Sequence, residues 1–159
     1  MALMVCAFGP LFATEEKRID LAAVIAKADA QTALGEAVKD PQSRNEEGAD
    51  GYYSRCNYYS ENPGKSLVLR VRQAAAGQLE PKKQLEEMSA ANQRFKPIPG
   101  LGENAAVVSE GAAKGPSHVL MLYVAKGSVF ITVGISGVED DKSATEKAKT
   151  LARKILKNL

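Results

Sequence analysis

Residues 118–136, HVLMLYVAKGSVFITVGIS, carry the clearest hydrophobic pattern in the chain. Val129, Ile131, Val133 and Ile135 alternate with Phe130, Thr132, Gly134 and Ser136, the period of two expected of a strand with one buried face. The strand before it is apolar on both sides. Ala125, Lys126, Gly127 and Ser128 lie between them as a turn, with Gly127 free to take the positive φ that a tight hairpin needs. The pattern predicts a β-hairpin that forms the apolar floor of the domain, each buried Val, Ile or Leu contributing roughly 1.5–3 kcal/mol.

The remaining segments are arranged around it. Residues 19–34 are Ala-rich and helical, with Asp20 as N-cap and Gly35 as a left-handed C-terminal cap. Leu21, Val24, Ile25 and Ala28 make one stripe, and Ala30, Ala33 and Leu34 a second, rotated one, so the segment is one curved helix or two short pieces. Residues 40–51 hold Pro, Gly, Asn and Asp without periodicity and read as a surface loop. Residues 52–59 and 66–73 read as a hairpin about the turn at 61–65. In its second strand Leu67, Leu69 and Val71 share the core face, while Val68, Arg70 and Arg72 share the other.

Pro81 suits the first turn of a further helix with Leu85, Met88 and Phe95 on a narrow apolar edge, ended by Pro97. The linker at 97–104 leads into a short strand at 105–109. It lacks the Gly-Lys-Ser/Thr ending of a phosphate-binding loop, which argues against a nucleotide cradle. Residues 110–117 form another loop. The last helix has Ser143 and Glu146 at capping-box spacing, then Ala148, Leu151, Ala152, Ile155 and Leu159 on one stripe. Its many lysines allow it to lie on a membrane surface, but docking of the stripe on the sheet is favoured, with the cations suiting the C-terminal end of the helix dipole. The order of elements predicts an α+β fold, an antiparallel sheet of about five strands with three helices packed on it.

Composition narrows the function classes. At 159 residues the chain suits one domain, spanning residues 14–159, that needs neither metal nor disulfide to hold its core. A net charge of +2 is too small to imply nucleic acid. With one His, two Cys and no Trp, the residue types that most often build metal or nucleophile sites are scarce, which counts against an enzyme and implies no cofactor. Residues 1–13, MALMVCAFGPLFA, are uncharged, too short to span a bilayer, and read as a signal peptide cleaved near Ala13, although no Lys or Arg precedes the apolar run. The alternative is a native N-terminal strand or buried arm. Val5 before Cys6 does not fit a lipobox. Cleavage removes Cys6 and leaves Cys56 as a single buried, inert strand thiol.

Candidate chemistry comes from strand alternation. Arg70 and Arg72 share the outer face with either Tyr53, Arg55, Asn57 and Tyr59 or the opposite set of residues 52–59; the first choice turns Cys56 and Tyr58 inward, as suits a buried thiol, and Phe130 and Thr132 then extend the face. Tyr53, Arg55, Tyr59, Arg70 and Arg72 are therefore the candidate ligand- or partner-binding residues, since guanidinium forks suit carboxylates and phosphates and Tyr supplies rigid contact area. The bland alternative is that these side chains merely cover a sheet face. His118 has no neighbouring His, Cys or carboxylate at ligand spacing and reads as an exposed strand end, and Glu139, Asp140 and Asp141 suit a helix N-terminus. No catalytic or metal-ligating set stands out.

An Ala-rich helix ending Ala33-Leu34-Gly35, a strand with Arg55-Cys56-Asn57-Tyr58, the linker Ile98-Pro99-Gly100-Leu101-Gly102 and a late apolar hairpin before a basic helix together resemble small exported bacterial α+β domains, including actinobacterial lipoprotein families of PsbP-like fold. Members often pair the strand Cys with one near the start of the first helix, which this chain lacks. The resemblance implies export and a binding or accessory role. The expectation is a secreted or periplasmic, non-enzymatic module that recognises a protein partner or a small anionic ligand through its aromatic and Arg-rich sheet face, with no nucleic acid and no stable membrane span. The alternatives are a small hydrolase-type enzyme with a dispersed Ser, Asp or Glu site and a structural envelope protein.

Overall fold

The computed structural model describes residues 17–111, 117–138 and 140–159. The signal peptide expected at residues 1–13, with Cys6, lies outside the described residues, as do Glu139 and most of the loop at 110–117. Among the described residues, seven antiparallel strands form one sheet: β1 (Gln42–Gly48), β2 (Gly51–Tyr59), β3 (Ser66–Ala74), β4 (Lys96–Pro97), β5 (Asn104–Glu110), β6 (Val119–Lys126) and β7 (Val129–Ser136). The helices are α1 (Leu21–Val24), α2 (Lys27–Leu34), α3 (Pro81–Ala91) and α4 (Asp141–Leu156). The strand order β1-β2-β3-β7-β6-β5-β4 joins two meanders. The first runs from β1 to β3. Then α3 carries the chain to the opposite edge, and the second meander returns until β7 pairs with β3.

The α+β class with an antiparallel sheet stands, but with two more strands and one more helix than expected. The segment at 40–51 is not a loop. Seven of its residues form the edge strand β1, paired with β2 from Gln42↔Asn57 to Gly48↔Gly51. It lies at the rim, largely exposed, so it needs no apolar residues and shows no hydrophobic alternation. The helix α3 stops at Ala91, well before Pro97. Asn92 then accepts the Arg94 amide in a local turn, and Lys96–Pro97 pairs with β5. The first helix is two pieces. Asp20 caps α1 by accepting the Ala22 amide, as expected, Ile25 is extended, and Gly35 ends α2 at φ 73°.

The central strand also differs from its pattern. Every residue of β7 from Val129 to Ile135 is buried, Phe130 and Thr132 included, because β3 and β6 flank it, α4 covers one face and α3 reaches the other. The strand expected to be apolar on both sides, β6, alternates instead: Leu120, Leu122 and Val124 are buried, while Met121 and Tyr123 are only partly so. The hairpin turn is Gly127-Ser128, with Gly127 at φ 53°.

The main core lies between the sheet and α1, α2 and α4, where Leu21, Ile25, Leu34 and Ile155 meet Leu67, Leu69, Leu122 and Ile131. Buried polar groups there are paired. The Leu21 amide donates to Ser54 Oγ, which donates to Asn45, and the Tyr58 hydroxyl donates to the Ile25 carbonyl at 2.6 Å. The apolar stripe of α4 docks on the sheet through Ala144, Ala148, Leu151, Ala152 and Ile155, whereas Leu159 lies beyond the helix and is exposed. Its N-cap is Asp140, which accepts the Lys142 and Ser143 amides, so Ser143 is inside the first turn rather than capping it. No helix among the described residues is long and apolar enough to cross a membrane.

A candidate anion-binding groove on the open sheet face

The face of the sheet opposite α1, α2 and α4 is only half covered. The helix α3 lies over β5, β6 and the near side of β7, burying Leu85 against Ala106, Ala125 and Phe130. Strands β2 and β3 remain open beside it. Between the helix and the open strands lies a concavity of about 400 Å³.

Register decides what lines it. Tyr53 is opposite Arg72, which is opposite Phe130. Two residues along, Arg44, Arg55, Arg70, Thr132 and Tyr123 follow one another across β1, β2, β3, β7 and β6. Paired residues in a sheet project to the same side, so the outward set inferred from alternation is the set observed. Four of the five expected site residues, Tyr53, Arg55, Arg70 and Arg72, line the concavity. Tyr59 does not. It is exposed at the far end of β2, opposite Ser66.

The arginines differ in what they hold. The Arg72 side chain is only 10% exposed; its Nη2 donates to the Leu79 carbonyl and to Gln84 Oε1, both at 2.8 Å, and Nη1 lies 3.6 Å from Asp50. It braces the segment leading into α3 against β3, and its Nε is buried without an acceptor among the described residues. Arg44 and Arg55 share Glu46, at 2.7 and 3.7 Å. Arg70 is exposed and, among the described residues, is in no ion pair. The Tyr53 hydroxyl donates to Asp50 at 2.6 Å, which holds the Asp50 carboxyl below its usual range and, with burial, pushes the phenol up.

The floor is apolar and soft. Tyr123 stacks on Phe95 with centroids 5.6 Å apart and lies 5.9 Å from Phe130. Burial raises the Tyr123 pKa, so the ring is neutral at ordinary pH. Met121 and Met88 complete the floor and the helix wall. Gly134 makes room for Met121: a Cβ on that glycine would stand 2.8 Å from the Met121 sulfur. Sequence reasoning included Phe130 and Thr132 but missed Met121, Tyr123, Gln84 and Met88. β6 is apolar from Val119 to Ala125, so its sequence does not say which side Met121 and Tyr123 take; the alternation is one of burial, set by packing. Nothing local signals the α3 residues, which arrive by tertiary packing.

A second polar cluster corrects the reading of His118. It is not an exposed strand end but a buried side chain, with Nε2 2.5 Å from Asp141 Oδ1; Ser109 Oγ donates to Asp141 Oδ2 at 2.8 Å. The carboxylate is supplied by α4, 23 residues away, so sequence neighbours could not reveal it. Burial acts to raise the Asp141 pKa, but the hydrogen bonds from His118 and Ser109 outweigh it and the net shift is downward. The order here is hydroxyl, carboxylate, imidazole. Ser109 is thus bonded to the carboxylate and not to the imidazole, where an activated nucleophile would stand. The cluster ties β5, β6 and α4 together. Among the described residues, no group of three or more His, Cys, Asp or Glu is placed to hold a metal ion. Cys56 is buried and free, its thiol pushed up by burial.

Compared with known proteins, the chain matches no protein-family model and no curated protein.

Proposed function

We propose that this protein is an exported, non-enzymatic binding or accessory module of PsbP-like type, acting in the secreted or periplasmic space after cleavage near Ala13, and that it recognises an anionic group of a small ligand or protein partner through the half-covered sheet face. One observation carries the reading: Arg70 stands at the edge of an aromatic and thioether-lined groove with no carboxylate paired to it among the described residues, while Arg44, Arg55 and Arg72 are held by neighbours. A free guanidinium fork beside a concave apolar surface is a receptor for a carboxylate or phosphate.

Native mass spectrometry on protein from the exported fraction of its host tests both halves. The expected result is an intact mass beginning at Thr14 with a bound adduct or partner that the Arg55→Ala/Arg70→Ala double variant loses while remaining folded. An uncleaved mass in the cytoplasmic fraction refutes export. An adduct kept undiminished by the folded double variant removes the groove from the binding role.

A further inference from the structure

Resting on that reading, we propose that the groove takes a compact organic carboxylate with an apolar, preferably aromatic, body: the carboxylate on Arg70 and the body on the half-buried Met88, Met121 and Tyr123 side chains.

Three observations lead there. The first is charge. Arg44 and Arg55 share the single carboxylate of Glu46, and Asp50 pairs with Arg72, so of these four guanidiniums Arg70 has no paired acid among the described residues and Arg55 is only half compensated. One unpaired fork with one half-compensated neighbour suits a single small anionic group. A polyanion needs a run of them, because its affinity grows with the number of charges neutralised.

The second is the surface beside that cation. Arg70 is aligned across the sheet with Thr132 and Tyr123, and lies one row from Phe130. An inorganic anion on Arg70 leaves the half-buried Tyr123, Met88 and Met121 side chains facing water. An aromatic acid covers them, and methionine sulfurs and ring edges are favourable partners for an aromatic body.

The third is size. About 400 Å³ falls at the small end of the roughly 300–1,000 Å³ typical of small-molecule sites. Arg72, Tyr53 and Gln84 are already engaged within the protein, so the groove's remaining polar recognition centres on Arg70 and the partly engaged Arg55.

The test uses ¹³C-methyl-methionine NMR, with the Met88 and Met121 methyls assigned through Met88→Leu and Met121→Leu. The probes are 3-phenylpropionate, its neutral amide, inorganic phosphate and a tetraglutamate peptide. The expected result is a saturable shift of both methyls by 3-phenylpropionate, at least tenfold weaker binding of the amide and of phosphate, and at least tenfold weaker 3-phenylpropionate binding by Arg70→Ala. Arg70→Lys, which keeps the charge but loses the fork, falls between. Lys157→Ala, with the same charge change away from the groove, binds as the unaltered protein does. Equal binding of the amide overturns the carboxylate assignment. Phosphate or tetraglutamate binding through Arg70 as tightly as the aromatic acid overturns the apolar-body assignment but leaves the anion-binding reading standing. No Arg70-dependent binding of any probe overturns both.

Discussion

Arg70 and Arg72 are two residues apart on the same face of β3, yet the structure assigns them opposite roles in stability. Replacing Arg72 by Ala removes two hydrogen bonds from a charged donor, each contributing roughly 1.5–3 kcal/mol, and an ion pair to a half-exposed Asp50 that adds at most about 1 kcal/mol. Against this, the substitution also removes the buried Nε without an acceptor, returning roughly 1–3 kcal/mol. Leu79 is exposed and Gln84 only half-buried, so their oxygens can turn to water. The balance is a loss of about 2 kcal/mol. With a urea m-value of about 2 kcal/mol/M for a domain of this size, the midpoint falls by about 1 M. Arg70→Ala, at an exposed site with no ion pair among the described residues, stays within about 0.5 kcal/mol. Urea titrations of both variants followed by far-UV circular dichroism make the comparison. A midpoint for Arg72→Ala within about 0.3 M of the unaltered protein, or an equal fall for Arg70→Ala, refutes the division of labour.

Two further predictions concern the other face and the α4 terminus. Tyr58→Phe deletes the donor to the buried Ile25 carbonyl and costs about 1–3 kcal/mol in the same titration, with faster amide exchange in α2, because that carbonyl sits at the junction of α1 and α2. The Asp141 carboxyl is held below its usual range in the folded state. Its contribution is therefore complete above the ordinary aspartate value of about 3.9 and is lost as pH falls through the lower folded value. Asp141→Asn should be less stable than the unaltered protein at pH 6, and the gap should close as both are titrated below about pH 4; a gap that persists undiminished to pH 2 contradicts the assignment.

How much of this was readable in the sequence depends on what each element is buried against. β3 announced its two faces because Leu67, Leu69 and Val71 alternate with Val68, Arg70 and Arg72, and one face meets the core while the other meets solvent. That alternation placed Tyr53, Arg55, Arg70 and Arg72 on one surface correctly. β1 gave no such signal, since an edge strand exposed along nearly its whole length has no buried face to encode. His118 misled because its partner is remote in sequence. Tyr59 was grouped with the others because alternation specifies the side of a strand but not the position along it. The groove wall from α3 was invisible for a related reason: Leu85 and Met88 show which edge of the helix is apolar, not which part of the sheet it covers.

The two ends of the sheet bear on how the protein keeps to itself. A strand at a sheet edge offers unpaired amides and carbonyls on which another chain can add. At one end here, β1 carries Arg44, Glu46 and Glu47, so an incoming strand must approach a row of charges. At the other, β4 is two residues long and includes Pro97, which has no amide hydrogen to donate. Strand-by-strand polymerisation is thus discouraged at both rims by the edge strands themselves. A partner or a second copy would find a readier place to dock on the open face than on the edges.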